Sequence, residues 1–364
     1  MSTMDEHRIV ERALAEIKGM GLRLKVMHVC GTHQDTLVRH GLQPLFESAG
    51  VTIVQGPGCP VCVTTPKEIE EARALALNGM RVLAFGDMMN VPGPSGSLYS
   101  AREEGADVRI VYSVSDALRS AREEPGVGHV FMGVGFETTA PSTAVALLSD
   151  PPENFSVLSC HRYVPPALRA ILEMGEVKLD GLIEPGHVST IIGLKPYIPI
   201  SEQWKVPQVV AGFEPLDLVL GVLMLARQVA EARAEVENEY SRVVRFEGNP
   251  KALHALSTVF QPQDIEWRGF PSIPVSGMRL KPGFETHDAR KLYEEILSPL
   301  EDAEFEEPEG CRCGEVLRGL IESEECPLFG TACAPEHPIG PCMVSAEGSC
   351  NILYRLKAHE KSVK

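Results

Sequence analysis

Positive charge is in short supply: 34 Lys and Arg stand against 50 Asp and Glu in 364 residues, a formal charge of −16. A surface that acidic repels phosphate backbones, so nucleic acid is not an expected partner. Long apolar runs are missing too. The longest, near residues 218–226, falls far short of the roughly 20 residues a membrane helix needs. The first twenty residues carry charge throughout and no continuous apolar stretch, so no export signal and a cytoplasmic location are expected. No Gly-x-x-x-x-Gly-Lys-Ser/Thr loop occurs, and Gly133-Val-Gly-Phe-Glu-Thr138 is an incomplete dinucleotide fingerprint, so nucleotide binding finds little support.

Cysteine, by contrast, is abundant. Ten thiols in a reducing compartment point to ligands or redox centres rather than structural disulfides. At roughly 150 residues per domain the length suggests two or three domains. Short β-type runs lie at 24–30, 51–56, 81–86, 107–113, 129–136, 155–161, 179–186 and 207–213. Helical stretches separate them, two of which open with Pro, at 66 and 165, as a first helical turn allows. This alternation predicts an α/β protein with mainly parallel sheets. Two successive α/β domains, 1–120 and 121–245, are expected, followed by a cysteine-rich C-terminal segment, 246–364. A long helix is expected from about 216 to 244, its charged second half serving as a connector. The acidic stretch 301–310 reads as a linker into the tail.

The chemistry-bearing motifs sit where strands end. Cys30-Gly-Thr-His33-Gln34 follows the first run. A thiol at a strand end and helix start favours the thiolate, a nucleophile or a soft-metal ligand. Gly56-Pro-Gly-Cys59-Pro-Val-Cys62 follows the second, and its Cys-x-x-Cys spacing permits a reversible disulfide or a pair of metal ligands. In Gly133-Val-Gly-Phe-Glu-Thr138-Thr139, backbone N–H groups and two hydroxyls at a helix start can bind an anion or simply cap the helix. His187, in Glu184-Pro-Gly-His-Val-Ser, can ligate, carry protons or hydrogen-bond. Cys160 and His161 read as a further strand end beside the same region. Gly212-Phe213-Glu214 is a similar but weaker motif, in which a helix start alone explains Glu214.

Six thiols crowd the tail: Cys311, Cys313, Cys326, Cys333, Cys342 and Cys350. They lack the paired Cys-x-x-Cys knuckles of zinc sites. Four cysteines on irregular loops suit a [4Fe–4S] cluster better, with two left over as a redox pair.

Taken in order, these motifs resemble the HypD family of hydrogenase maturation factors, which help build the iron centre of [NiFe]-hydrogenases. The likeness spans nearly the whole chain. It departs at Gln34, where an acidic residue is common. The resemblance implies two α/β domains facing a cleft and a third domain holding a [4Fe–4S] cluster on Cys311, Cys326, Cys333 and Cys350. Cys313 and Cys342 would then form a redox pair beside Cys59 and Cys62. It implies a scaffold that works with a small chaperone, HypC, to assemble an Fe(CN)2CO unit. Cyanide would arrive as a thiocyanate on HypE, and Cys30 would hold the iron together with a HypC cysteine. Thr138, Thr139 and His187 could donate hydrogen bonds to the cyanides, and His33 could orient one. Two other readings stand beside it: a self-contained iron–sulfur thiol oxidoreductase working through Cys59 and Cys62, and a structural zinc protein.

Overall fold

The computed structural model describes residues 3–301 and 303–363. Asp302, in the expected linker, lies outside the described residues, as do Met1, Ser2 and Lys364. All eight expected strands form: β1 (Leu24–His28), β2 (Val51–Gln55), β3 (Arg81–Ala84), β4 (Val108–Ile110), β5 (His129–Gly135), β6 (Phe155–His161), β7 (Gly181–Pro185) and β8 (Gln208–Ala211). A ninth, β9 (Val236–Asn238), adds to them. Both sheets are parallel, in the orders β2-β1-β7-β8-β9 and β4-β3-β5-β6. β3, β5 and β6 are buried along their whole length, as strands covered by helices on both faces must be.

The two α/β units are not successive, which corrects the expectation. The chain leaves the first sheet after β2, builds the whole second sheet, and returns at β7, where Val26 pairs with Gly181. Strand spacing along a sequence marks strands but not their partners, and β7 chose β1 over its neighbour β6.

Helix starts follow local chemistry. Thr65 caps the helix Pro66–Leu77, its hydroxyl accepting from the Glu68 N–H while Glu68 Oε2 accepts from the Thr65 N–H, a reciprocal capping box. The helix Val164–Met174 stops at Gly175, at φ +62°, a left-handed position that suits glycine. The long helix expected to reach 244 ends at Ala230. Beyond it Ala232 takes a left-handed turn, and Gln228 Oε1 accepts from the Glu235 N–H. The charges expected on a helical connector lie instead on the turn into the edge strand β9, where Arg233 bridges Glu231, Glu235 and, on the strand itself, Glu237; charge on an edge blunts unwanted pairing.

After β9, a helix (Pro250–Val259) and an antiparallel hairpin, β10 (Phe260–Glu266) and β11 (Ser272–Leu280), pack on the second sheet. Leu256, Val259, Phe260 and Met278 share one core with Phe131, Phe155 and Val157. Only the chain beyond about 308 is irregular and cysteine-rich. Its last helix (Ser349–Val363) lies against the helix Gly31–Arg39. Among the described residues, no helix is long and apolar enough to cross a membrane.

Candidate functional site

Each sheet has one place where successive crossovers depart in opposite directions, between β1 and β7 in the first and between β3 and β5 in the second. Open parallel sheets bind ligands in the crevice at the carboxyl ends of such strands. Here both crevices contribute to one cavity of about 450 Å³. Cys30 and Thr32 line it after β1, His187 after β7, Met88 after β3, and Thr138 and Thr139 after β5. The Gly58–Val61 loop, Tyr112 and, from the tail, Glu347 complete the wall. Glu347, in the tail motif Ser345-Ala-Glu-Gly-Ser-Cys350, is not among the expected site residues.

Glycine makes these approaches feasible. A Cβ on Gly58 would sit 2.3 Å from the Cys30 nitrogen, and one on Gly31 would sit 2.5 Å from the Glu347 carbonyl oxygen. The loop after β2 and the tail therefore both press on the Cys30 turn. Ser345 Oγ donates to Asp87 at 3.1 Å, tying the tail to the turn after β3.

Cys30 is only 8 % exposed. Burial pushes its thiol above the ordinary range, while the backbone N–H groups of His33 and Thr32 pull it back. The resting form is therefore the thiol, which corrects the expected thiolate: the cost of desolvating the charge exceeds the pull of the helix start. A soft metal would have to displace the proton.

His33 is not on the cavity wall. Its Nε2 donates to the carbonyls of Gly212 (2.9 Å) and Ala211 (3.3 Å), locking the Cys30 turn to the end of β8. Burial lowers its pKa to about 3, so it is neutral. His28 donates through Nε2 to Gln34 Oε1 at 2.8 Å and is likewise neutral, lowered to about 4 by burial. Gln34 thus serves as an uncharged acceptor where a carboxylate would favour a charged His28. Cys160 and His161 are buried away from the cavity, His161 held by Thr143 at 3.0 Å.

Cys59 and Cys62 are joined as a disulfide beneath the cavity loop, both fully buried; Pro60 and Val61 between them form wall. Two carboxyls escaped the sequence reading as a pair. Glu137 and Glu184 are fully buried, and burial raises each to about 8. Glu137 accepts from the Val164 N–H, whereas neither oxygen of Glu184 has a partner.

In the tail all six cysteines line one small pocket of about 20 Å³. Cys313 and Cys342 bring their sulfurs to 2.8 Å. Burial pushes Cys311 up to about 12 and Cys333 above its ordinary value, so both rest protonated. Among the described residues, no three His, Cys, Asp or Glu side chains gather as a mononuclear metal site does. A cubane cluster asks for something else, one thiolate at each of four irons. The donor set fits that demand: six soft sulfurs facing one pocket, the Ile339 N–H directed at Cys333 Sγ (3.3 Å), and Gly340 leaving room beside Cys311 Sγ.

The fold is thus a doubly crevassed α/β protein that presents soft sulfur donors at two places, one thiol on its cavity wall and six in its tail. The comparisons with known proteins narrow this class. Residues 7–357 match the HypD family model, described as the hydrogenase formation hypA family. The chain is 44% identical over 363 residues to a Methanocaldococcus jannaschii protein provisionally named for hydrogenase expression and formation, covering 98% of this chain and 99% of that one. It is 44% identical over 330 residues to the hydrogenase maturation factor HypD of Rhodobacter capsulatus (89% and 87% covered). Against HypD of Escherichia coli it is 40% identical over 376 residues (99% of each). The chain belongs to the HypD family of hydrogenase maturation factors.

Proposed function

We propose that this chain is a scaffold on which the Fe(CN)2CO unit of a [NiFe]-hydrogenase is assembled, in the cytoplasm and together with a HypC-type chaperone. The observation that carries this reading is the cavity: one buried cysteine on its wall, with hydrogen-bond donors from the opposite sheet. The iron unit is the substrate. Its low-spin iron, softened by CO and cyanide, prefers a sulfur donor, and Cys30 supplies it once its proton leaves. A second thiolate would come from the chaperone. Thr138 and Thr139 hydroxyls and the His187 ring would donate to the anionic cyanide nitrogens. His33 acts behind the wall, holding the Cys30 turn to β8.

Cyanide would be drawn from a thiocyanate on a HypE-type donor. Its cleavage takes two electrons and releases a thiol. Oxidation of the Cys59 and Cys62 dithiol to the disulfide yields two electrons and two protons, which balances that step. The tail would hold a [4Fe–4S] cluster on Cys311, Cys326, Cys333 and Cys350, leaving Cys313 and Cys342 as a second dithiol. When bound, such a cluster supplies one-electron redox chemistry.

The test is infrared spectroscopy of the anaerobically purified chain in complex with its small chaperone. CO and cyanide stretching bands are expected, and Cys30→Ser should remove them. Bands of full intensity in Cys30→Ser would overturn the assignment.

A further inference from the structure

One motif remains unused by this chemistry. Gly212-Phe213-Glu214 follows β8, and the start of a helix accounts for Glu214 but not for Phe213. The Phe213 ring lies 3.9 Å from the His187 ring, stacked at 26°. Its other neighbours are His33, centroids 5.1 Å apart, and Tyr240, edge-on at 5.8 Å. The backbone beneath the ring is fixed from the Cys30 turn: His33 donates to the Gly212 carbonyl, and Thr36 Oγ1 donates to the Phe213 carbonyl at 2.8 Å. Gly186 makes space for both the β8 backbone and the ring, since a Cβ there would meet the Ala211 carbonyl oxygen at 2.7 Å, Tyr240 Cδ1 at 3.0 Å and Phe213 Cζ at 3.2 Å.

His187 is exposed, and among the described residues no hydrogen bond fixes its ring; Thr190 binds only its carbonyl. An exposed imidazole without a fixed partner samples several rotamers. Offset stacking on an aromatic face favours one of them. We propose that Phe213 is the positioning residue that sets the His187 ring on the cavity wall. It joins three strand-end turns, those after β1, β7 and β8, into one rigid unit. Gly186 belongs to the same device, since the glycine before His187 is what admits the ring it stacks on. The consequence for the iron unit rests on the function proposed above; the stack itself does not.

The experiment uses the full chain, labelled at histidine and free of cargo. Stacked above a phenyl face, the His187 Hε1 proton should resonate upfield of an ordinary imidazole. Phe213→Leu should move it downfield to the ordinary position. Phe213→Met, which keeps most of the volume without a ring, should repeat the downfield move and covers the case in which Phe213→Leu fails to fold. A folded Phe213→Leu or Phe213→Met protein with the His187 signal unmoved overturns the proposal. In the chaperone complex, Phe213→Leu should retain the CO band and shift the cyanide bands. Unmoved cyanide bands beside a moved proton signal would overturn the positioning role while leaving the scaffold intact. Absence of all such bands in the wild type would overturn the scaffold and leave the proton test to decide the stack.

Discussion

Two regions of this molecule gather thiols, and they do so by different means. Around Cys30 the backbone does the work. Parallel ladders end at two switch points, and hydrogen bonds such as His33 to Gly212 tie neighbouring turns together around a cavity of about 450 Å³. In the tail the six cysteines line only about 20 Å³ and sit on loops, two short helices and the start of the last one, with the side chains themselves forming the core. A cavity framed by sheets keeps its shape whatever it carries. A core made of thiols takes its shape from whatever the thiols bind, because metal binding and local folding are one equilibrium.

The comparison breaks most visibly in the tail. Cys326→Ala should lose the iron and melt the segment beyond about 308 while the two sheets persist. Iron analysis with hydrogen exchange checks this, and full iron content would show that Cys326 is no ligand. At the cavity the opposite balance is expected. Cys30→Ser should eliminate cargo binding, read from the infrared bands, yet keep the tail iron and cost only about 1 kcal/mol of stability, as one weak polar group replaces another. Unfolding of the first sheet in that variant would contradict a preorganised frame.

The Cys59–Cys62 pair lies between these extremes. Either Ser substitution buries an unpaired hydroxyl in a fully buried site, a cost of about 1–3 kcal/mol. The protein should still fold, with a lower denaturant midpoint, and should no longer mature hydrogenase. Retained maturation by the double variant would remove the redox role.

The remaining effect concerns pH. Glu137 and Glu184 hold their protons to about pH 8 in the fold, against an ordinary carboxyl value of 4.5. Between those values the native state binds more protons than the unfolded state, so stability falls as pH rises and levels off above about 8. Glu184→Gln should flatten part of that slope, seen in denaturant midpoints measured from pH 5 to 8. An unchanged slope would mean that Glu184 is already ionised or solvated.

Much of this was readable beforehand. Eight strands are placed within a few residues because covered parallel strands are short apolar runs between Gly- and Pro-marked turns. The strand-end positions of Cys30, Thr138 and His187 place each at the carboxyl end of its sheet from sequence alone. Three things were not readable. The choice of β7 as partner for β1 is a long-range packing decision without local signal. The resting thiol of Cys30 depends on burial by Glu347 and the Gly58 loop, both remote in sequence. Phe213 was dismissed because its neighbour Glu214 had a sufficient explanation. The signal that could have found it was its position after the fourth strand of the same sheet edge.

The return of the chain to its first sheet has a consequence during synthesis. The β1–β7 junction joins residues about 155 apart, as the bond from the Lys25 N–H to the Asp180 carboxylate shows. On a ribosome, β1 and β2 emerge long before their central neighbour exists, and the whole second sheet can form in the interval. Contacts of such long range are made late, since the loop they close must be ordered first. The nascent protein should therefore complete its younger sheet before its older one. Arrested chains with residues up to about 180 clear of the ribosome should leave β1 and β2 more open to protease than β3–β6.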